Sequence, residues 1–475
     1  MIRAWLWIAI CSCSTSIPAW TQDQWLEIRS PHFRVLTDGG ERRARETALE
    51  FEQMRSVFTQ VLPQNQSDDS RPLLVVAFKN ESEVSGFAPL YKGKPVKSSG
   101  LCQTGPDGNA ILFDLLATNR WQIVAHEYGH VMLSRFRDPP PWLSEGFAGY
   151  YSTMRIFKKE AIVGRPPEGF ADILKNEKLL PIVTLFAATH ESPLYNDEGR
   201  QRLLFYAESW LVVHYLWSNH LQEQLLLYFD LVQHNASFTE AIQQAFKMTP
   251  AAFDKAIENY LREGPRDSRL MLSGASEKAQ LTVRPVPQIE AATALAEIHL
   301  HEPDHEEQGL SELQRILRED PGNAAAHRGL GYAYFNRHDF DAAMPHLDQA
   351  AQKNPDDWQV RYYQAMVLSQ QHDNEAAEKM EKSALRVTEL NPEFAQGYSL
   401  LGFALMSQHK TLAAIAAYQK ALQLDPGNET NTLNLAELYS LQNRLDEAKP
   451  LFLRLKDSAN EAIARAARSH LELMR

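Results

Sequence analysis

A period constrains this chain more than any other feature of its sequence. Four prolines in the C-terminal half follow Asp or Asn, in Asp320-Pro321, Asn354-Pro355, Asn391-Pro392 and Asp425-Pro426. Their spacings are 34, 37 and 34 residues. Proline disfavours the helical conformation in the residue before it, so each pair ends one helix and sets the turn into the next. Between the pairs, small and large residues return at matching offsets. One unit carries Leu330, Gly331, Tyr334, Ala343, Leu347 and Ala350. Another carries Leu401, Gly402, Leu405, Ala414, Tyr418 and Ala421, and a third Leu435, Ala436, Tyr439, Ala448 and Phe452. Small residues let two helices approach, and large ones fill the space between hairpins. Such units bury their apolar faces only by stacking on one another.

The pattern resembles the tetratricopeptide repeat, a helix–turn–helix unit of 34 residues. The resemblance covers about 290 to 457. Within it, the unit at 358–394 is longer and lacks the small–large pattern at Gln364 to Val367, and Gly309 stands where alanine is usual. Residues 458–475, with a helix over 459–474, read as a solvating cap. The resemblance implies an all-α superhelix whose concave surface takes a peptide or protein partner.

Upstream, from 24 to 265, the patterning is mixed. Trp25 to Thr37 alternates apolar and polar residues around a break at Pro31, predicting a strand pair. Glu41 to Leu62 spaces Ala44, Ala48, Phe51, Met54 and Phe58 as a helix does. Leu73 to Phe78 reads as a buried strand, and two further strands flank the turn Gly105-Pro106-Asp107-Gly108. A helix follows over about 119–136. Strands first and helices after predict an α+β layout. Residues 266–288, less periodic and holding Gly274, Pro285 and Pro287, read as a linker.

The N-terminus reads as an address. Arg3, an apolar run from Ala4 to Cys11 and a plausible cleavage residue at Ala19 fit a signal peptide over 1–19, predicting export. Lipidation at Cys13 is a minor alternative. The chain has three cysteines, which excludes a disulfide framework, and Cys102 reads as a lone thiol. Its net charge of −12 argues against nucleic acid as a partner. No run of eighteen apolar residues occurs, so no transmembrane span is predicted.

The chemistry concentrates at His126-Glu127-Tyr128-Gly129-His130, an H-E-x-x-H sequence inside an apolar helical run. A spacing of four puts both imidazoles on one helix face, where both can bind one metal ion. Glu127 stands beside them as a base for water. A catalytic zinc takes three protein ligands. After Pro139-Pro140-Pro141 comes Trp142-Leu143-Ser144-Glu145-Gly146-Phe147-Ala148, a second helix. Its small residues Gly146, Ala148 and Gly149 would let it lie against the first and bring Glu145 to the metal.

H-E-x-x-H followed by W-L-x-E-G-x-A resembles the gluzincin metallopeptidases, in particular the peptidase MA-like families. The resemblance implies a zincin-like α+β peptidase domain over 24–265 holding one zinc, with His126, His130 and Glu145 as ligands and Glu127 as general base. It also implies an edge strand from 98–115 beside the cleft, and an oxyanion-stabilising tyrosine downstream, for which Tyr206 is the best positional match. His214 is an alternative donor, although a histidine in such a helix is ordinarily a core residue, and Tyr150 and Tyr151 read as packing. The spacing from His130 to Glu145 is shorter than in the related aminopeptidases, and the G-x-M-E-N segment of those enzymes is absent, so the implied activity is endopeptidase. The expected partners are a protein or peptide substrate and a protein bound by the repeats. Two alternatives stand beside this reading: a repeat scaffold with an inactive or latent peptidase domain, and a zinc hydrolase of non-peptide acyl substrates.

Overall fold

The computed structural model describes residues 24–61, 72–96, 100–103, 109–133, 139–196, 199–233, 236–272, 280–371 and 373–474. The expected signal peptide, Cys13 and the turn at 105–108 lie outside the described residues. The strands are β1 (Leu26–Arg29), β2 (Phe33–Thr37), β3 (Leu73–Phe78), β4 (Leu90–Tyr91), β5 (Lys94–Pro95), β6 (Gly100–Gln103), β7 (Ala110–Asp114), β8 (Arg155–Ile156), β9 (Glu160–Val163), β10 (Ser268–Met271) and β11 (Thr282–Pro285). Six of them form one sheet in the order β11-β1-β2-β3-β7-β6. The β2–β3 and β3–β7 pairs are parallel, and the remaining pairs are antiparallel.

The central strands are apolar almost throughout because both faces of the sheet are covered. Successive side chains point to opposite faces. Val35, Val75, Ala77, Ile111 and Phe113 pack with the helices Glu41–Val61 and Arg120–Leu133. Tyr128 sits there among Phe33, Phe51 and Phe58, with ring centroids 5.3–5.8 Å away. Leu36, Val76, Phe78, Ala110 and Leu112 face the other way, onto Ala291, Ala294 and Ile298 of the helix Gln288–Leu300. The first helix of the repetitive part thus covers one face of the N-terminal sheet.

That contact alters the reading of 266–288. This stretch, expected as a linker, supplies β10, which pairs with β9, and β11, which pairs with β1 at the end of the main sheet. Arg284 of β11 donates to both carboxylate oxygens of Glu27 at 2.8 and 3.0 Å, and also bonds Glu290 in the first repeat helix. Glu27 is 1% exposed and also accepts from Arg29 and Arg34. Burial pushes its pKa up, but the hydrogen bonds from Arg284, Arg29 and Arg34 outweigh burial and hold it at about 2.

From Gln288 onward every element is a helix, running pairwise to Glu461–Leu473. The residues before the repeated prolines adopt one conformation: Asp320, Asn354, Asn391 and Asp425 all have φ between −136° and −129° and ψ between 82° and 85°. Steric exclusion of the helical region before proline explains the recurrence. Small residues mark the close approaches. A Cβ on Gly331 would stand 2.6 Å from Leu347, and one on Gly402 would stand 2.9 Å from Tyr418. At Gly309 it would meet the backbone of Ala296 and Leu300 at 2.6–2.9 Å, so the departure from alanine there has a steric cause.

Candidate metal centre

Three helices build the site. Arg120–Leu133 carries His126, Glu127 and His130, Pro141–Ser152 carries Glu145, and Arg200–Ser218 packs behind them. The first two approach closely because Gly129 faces Ala148, where a Cβ on the glycine would stand 3.0 Å from the Ala148 Cα. Of the small residues expected at this contact, only Ala148 serves it. Gly146 instead lies against Ser209 and Val213 of the third helix, and Gly149 against Trp210 and Phe170. Pro141 starts the second helix, where its missing N–H removes no hydrogen bond.

The result brings the three expected ligands together. His126 Nε2 lies 3.1 Å from His130 Nε2 and 3.3 Å from Glu145 Oε2, and His130 Nε2 lies 3.8 Å from that same oxygen. Ligands about 2.0–2.1 Å from a tetrahedral zinc stand roughly 3.3 Å apart, so these separations suit one ion. Glu145 is 5% exposed, and its Oε2 is buried without a hydrogen-bond partner. A buried carboxylate oxygen left in that state asks for a cation. The donor set, two imidazoles and a carboxylate, suits zinc.

Partners behind the trio hold it in place. His130 Nδ1 is 2.8 Å from Ser144 Oγ, so its N–H can sit there while Nε2 presents a lone pair. Tyr195 donates to Glu145 Oε1 at 3.1 Å. The electrostatics follow. Burial pushes the Glu145 pKa up, but His130, His126 and the Tyr195 hydroxyl hold it down at about 2. Burial lowers His130 to about 4, and the Glu145 charge only partly offsets it. For His126, burial is outweighed by Glu145 and the pKa rises. Glu127 is raised to about 7 by burial, His126 opposing and Glu145 adding to the rise. A carboxyl near neutrality can both take and return a proton.

A cleft of about 620 Å³ opens over these residues. One wall is β6, the end strand of the sheet. It reaches the site because Gly100 has no side chain: a Cβ there would stand 2.3 Å from Ile123 and 3.2 Å from Glu127. Tyr206 lines the same cleft, with its ring 6.0 Å from that of Tyr195. Its hydroxyl oxygen accepts from Arg202 Nε and Nη2 at 3.2 and 3.1 Å, which leaves its own proton to donate. His214 is elsewhere. It is fully buried, bonded to Tyr260 and Ser218 at 2.7 and 3.1 Å, and belongs to the core. Tyr150 and Tyr151 are likewise buried. Cys102 is a free thiol in β6 whose pKa burial pushes up.

The sequence reading missed Tyr195, Ser144, His190 and Arg202, as well as Ile298 and Glu302 of the repeats, which line the cleft with the trio. For Ser144 the signal was its place next to Glu145. For the others no spacing marked them.

Comparison with known proteins concerns the C-terminal part. Two tetratricopeptide-repeat family models match, one over 405–471 and the other over 307–357, 328–386 and 364–429. Residues 307–471 are tetratricopeptide repeats. The human protein O-mannosyl-transferase TMTC1 is 30% identical over 135 residues, 28% of this chain and 15% of that protein. The small glutamine-rich tetratricopeptide repeat-containing protein 2 of Mycosarcoma maydis is 31% identical over 120 residues, 25% of this chain and 33% of that protein. The chain thus spans a third or less of the length of these relatives. Among solved structures, MamA 41-end from Desulfovibrio magneticus RS-1 is 20% identical, with a TM-score of 0.32, covering 39% of this chain and 97% of that one. Among the described residues, no helix is long and apolar enough to cross a membrane.

Proposed function

We propose that the N-terminal part is a zinc-dependent hydrolase of peptide bonds, acting as an endopeptidase, and that the tetratricopeptide repeats bind a protein. The observation that carries the hydrolytic reading is the convergence of His126, His130 and the orphaned Glu145 Oε2 beside Glu127. The ion would be held by those three residues and would supply Lewis-acid polarisation and a lowered pKa for water. The chain's own residues do the rest. Glu127 removes a proton from the attacking water and later gives it to the leaving amine, as the new C–O bond forms and the C–N bond breaks. Tyr206, with its oxygen held by Arg202, donates a hydrogen bond to the developing oxyanion. Tyr195 keeps Glu145 aimed at the two imidazoles. β6 offers an end strand for extended substrate.

A second reading has its own support. The family matches fall within 307–471 and support a protein-binding scaffold; in that reading the N-terminal site is latent or idle. One experiment separates the two. The full chain, supplied with zinc, is incubated with a reduced, carboxymethylated protein, and new peptide ends are followed by mass spectrometry. Cleavage that a chelator stops and Glu127→Gln lacks supports the hydrolase. Bound zinc without cleavage of proteins, peptides or small acyl substrates leaves the scaffold.

A further inference from the structure

We propose that Glu302, in the turn after the helix Gln288–Leu300, selects substrates with a lysine or arginine at one fixed position beside the bond cut at the metal centre. This rests on the hydrolytic reading above. The metal cleft is not built by the N-terminal part alone. Ile298, near the end of that helix, and Glu302 beyond it line the cleft together with His126, Glu127 and Glu145.

The cleft takes in both faces of β6. Gly100 and Cys102 face the metal helices: a Cβ on Gly100 would stand 3.2 Å from Glu127 Cγ, and Cys102 packs against the same core as that helix. Leu101, between them, packs against the opposite core with Phe87 and Ile298. Successive side chains of a strand point to opposite faces. An extended substrate laid on β6 continues that alternation. Its side chains on one face meet the metal helices, and those on the other meet Phe87, Ile298 and Glu302.

That second face says which side chain fits. Phe87 and Ile298 are apolar, and Glu302 adds a carboxylate. Lysine and arginine match the combination, an aliphatic stem with a charged head. Glu302 is half-buried and has no ion pair among the described residues. It follows His301, the C-cap of its helix, where the helix dipole disfavours a carboxylate. Burial raises its pKa and Asp304 adds to the rise, with His305 opposing. The surroundings thus disfavour a charge that a substrate cation would match. The same surroundings hold Glu302 in place. Leu90 N–H donates to Asp304 at 2.6 Å, His305 Nε2 lies 2.9 Å from the Ala88 carbonyl, and Phe87 stacks on His299 with centroids 4.2 Å apart.

The test reads binding and cutting separately. The probes are acetylated, amidated decapeptides, random in Ala, Leu, Phe, Ser and Gly except for one residue, which is lysine, glutamine or glutamate. The full chain with Glu127→Gln, supplied with zinc, is offered the three mixtures together, and the retained peptides are counted by mass spectrometry. Lysine peptides should be retained about 10-fold over glutamine peptides. Adding Glu302→Gln should bring that ratio to about one, and Glu302→Lys should favour glutamate peptides instead. A ratio near one without the Glu302 change, a ratio that the change leaves as it was, or an equal loss of all three mixtures would overturn the proposal. Zinc-dependent cutting by the unsubstituted chain is measured in parallel, and its products should place lysine at one position from the cut bond. Lysine scattered among positions would overturn the fixed register. A preference that depends on Glu302, without cutting, would keep the cation site and remove the hydrolytic reading. Cutting without that preference would do the reverse.

Discussion

In the repeats, Arg328 is enclosed by two carboxylates, donating to Glu297 at 3.0 Å and to Asp357 at 2.7 Å. In the N-terminal part, Glu145 is enclosed by two imidazoles and a tyrosine, yet one of its oxygens has no hydrogen bond. Both regions take charge out of water, which costs several kcal/mol per ion unless the charge is matched. The repeat closes its network on itself, and the network's product is a fixed angle between hairpins. The candidate metal centre leaves its network open toward a cleft, and an open network is where a ligand would contribute. Which polar groups stay unmatched therefore separates structure from chemistry here better than burial does.

The largest effect expected on that contrast is catalytic. Glu127→Gln should lower the cleavage rate by about 10²–10⁴-fold with zinc content unchanged. Rate and metal are read on the same preparation, and a variant as active as the parent would remove Glu127 from the mechanism. On the closed side, Arg328→Met should leave the buried Asp357 and the partly buried Glu297 without their cation and cost on the order of 3 kcal/mol in urea unfolding. An unchanged midpoint would mean that water satisfies those carboxylates.

Glu27 gives the same contrast a pH signature. Its folded pKa, about 2, lies below the ordinary carboxylate value of 4.5. The stabilisation is complete above pH 4.5 and is lost as pH falls through 4.5 toward 2, because the unfolded chain takes the proton first. The loss should be on the order of 3 kcal/mol and should vanish in Glu27→Gln. Equal acid sensitivity in both proteins would assign it to other carboxylates. The smallest effect belongs to Tyr195→Phe. Losing the hydroxyl that aims Glu145 should weaken zinc binding by about 10–100-fold, measured by competition with a chelator. Unaltered affinity would make Tyr195 a packing residue.

Legibility in the sequence followed the same division. The repeats were readable because a pre-proline conformation and a glycine contact recur, and recurrence is visible in one dimension. The histidine pair was readable because one helical turn joins its members. Glu145 followed from the prolines that turn the chain back. Tyr195 lies in the four-residue helix Pro193–Asn196, far along the chain, and nothing but the folded path brings it to Glu145. The strands in 266–288 were hidden for another reason. Thr282–Pro285 is short, polar and ends in proline, so it has no alternation to read. It becomes a strand because β1 presents an open edge and Arg284 finds Glu27 and Glu290 there. For the same reason, the first repeat helix as a cover for the sheet was not visible, since its apolar face looks like that of any repeat helix.

The most direct test of the central claim is the zinc content of the purified full chain, measured by elemental analysis beside His126→Ala. The account predicts about one zinc per chain, lost in the variant, as a trio of ligands requires. No zinc after resupply, or zinc retained in His126→Ala, would contradict it.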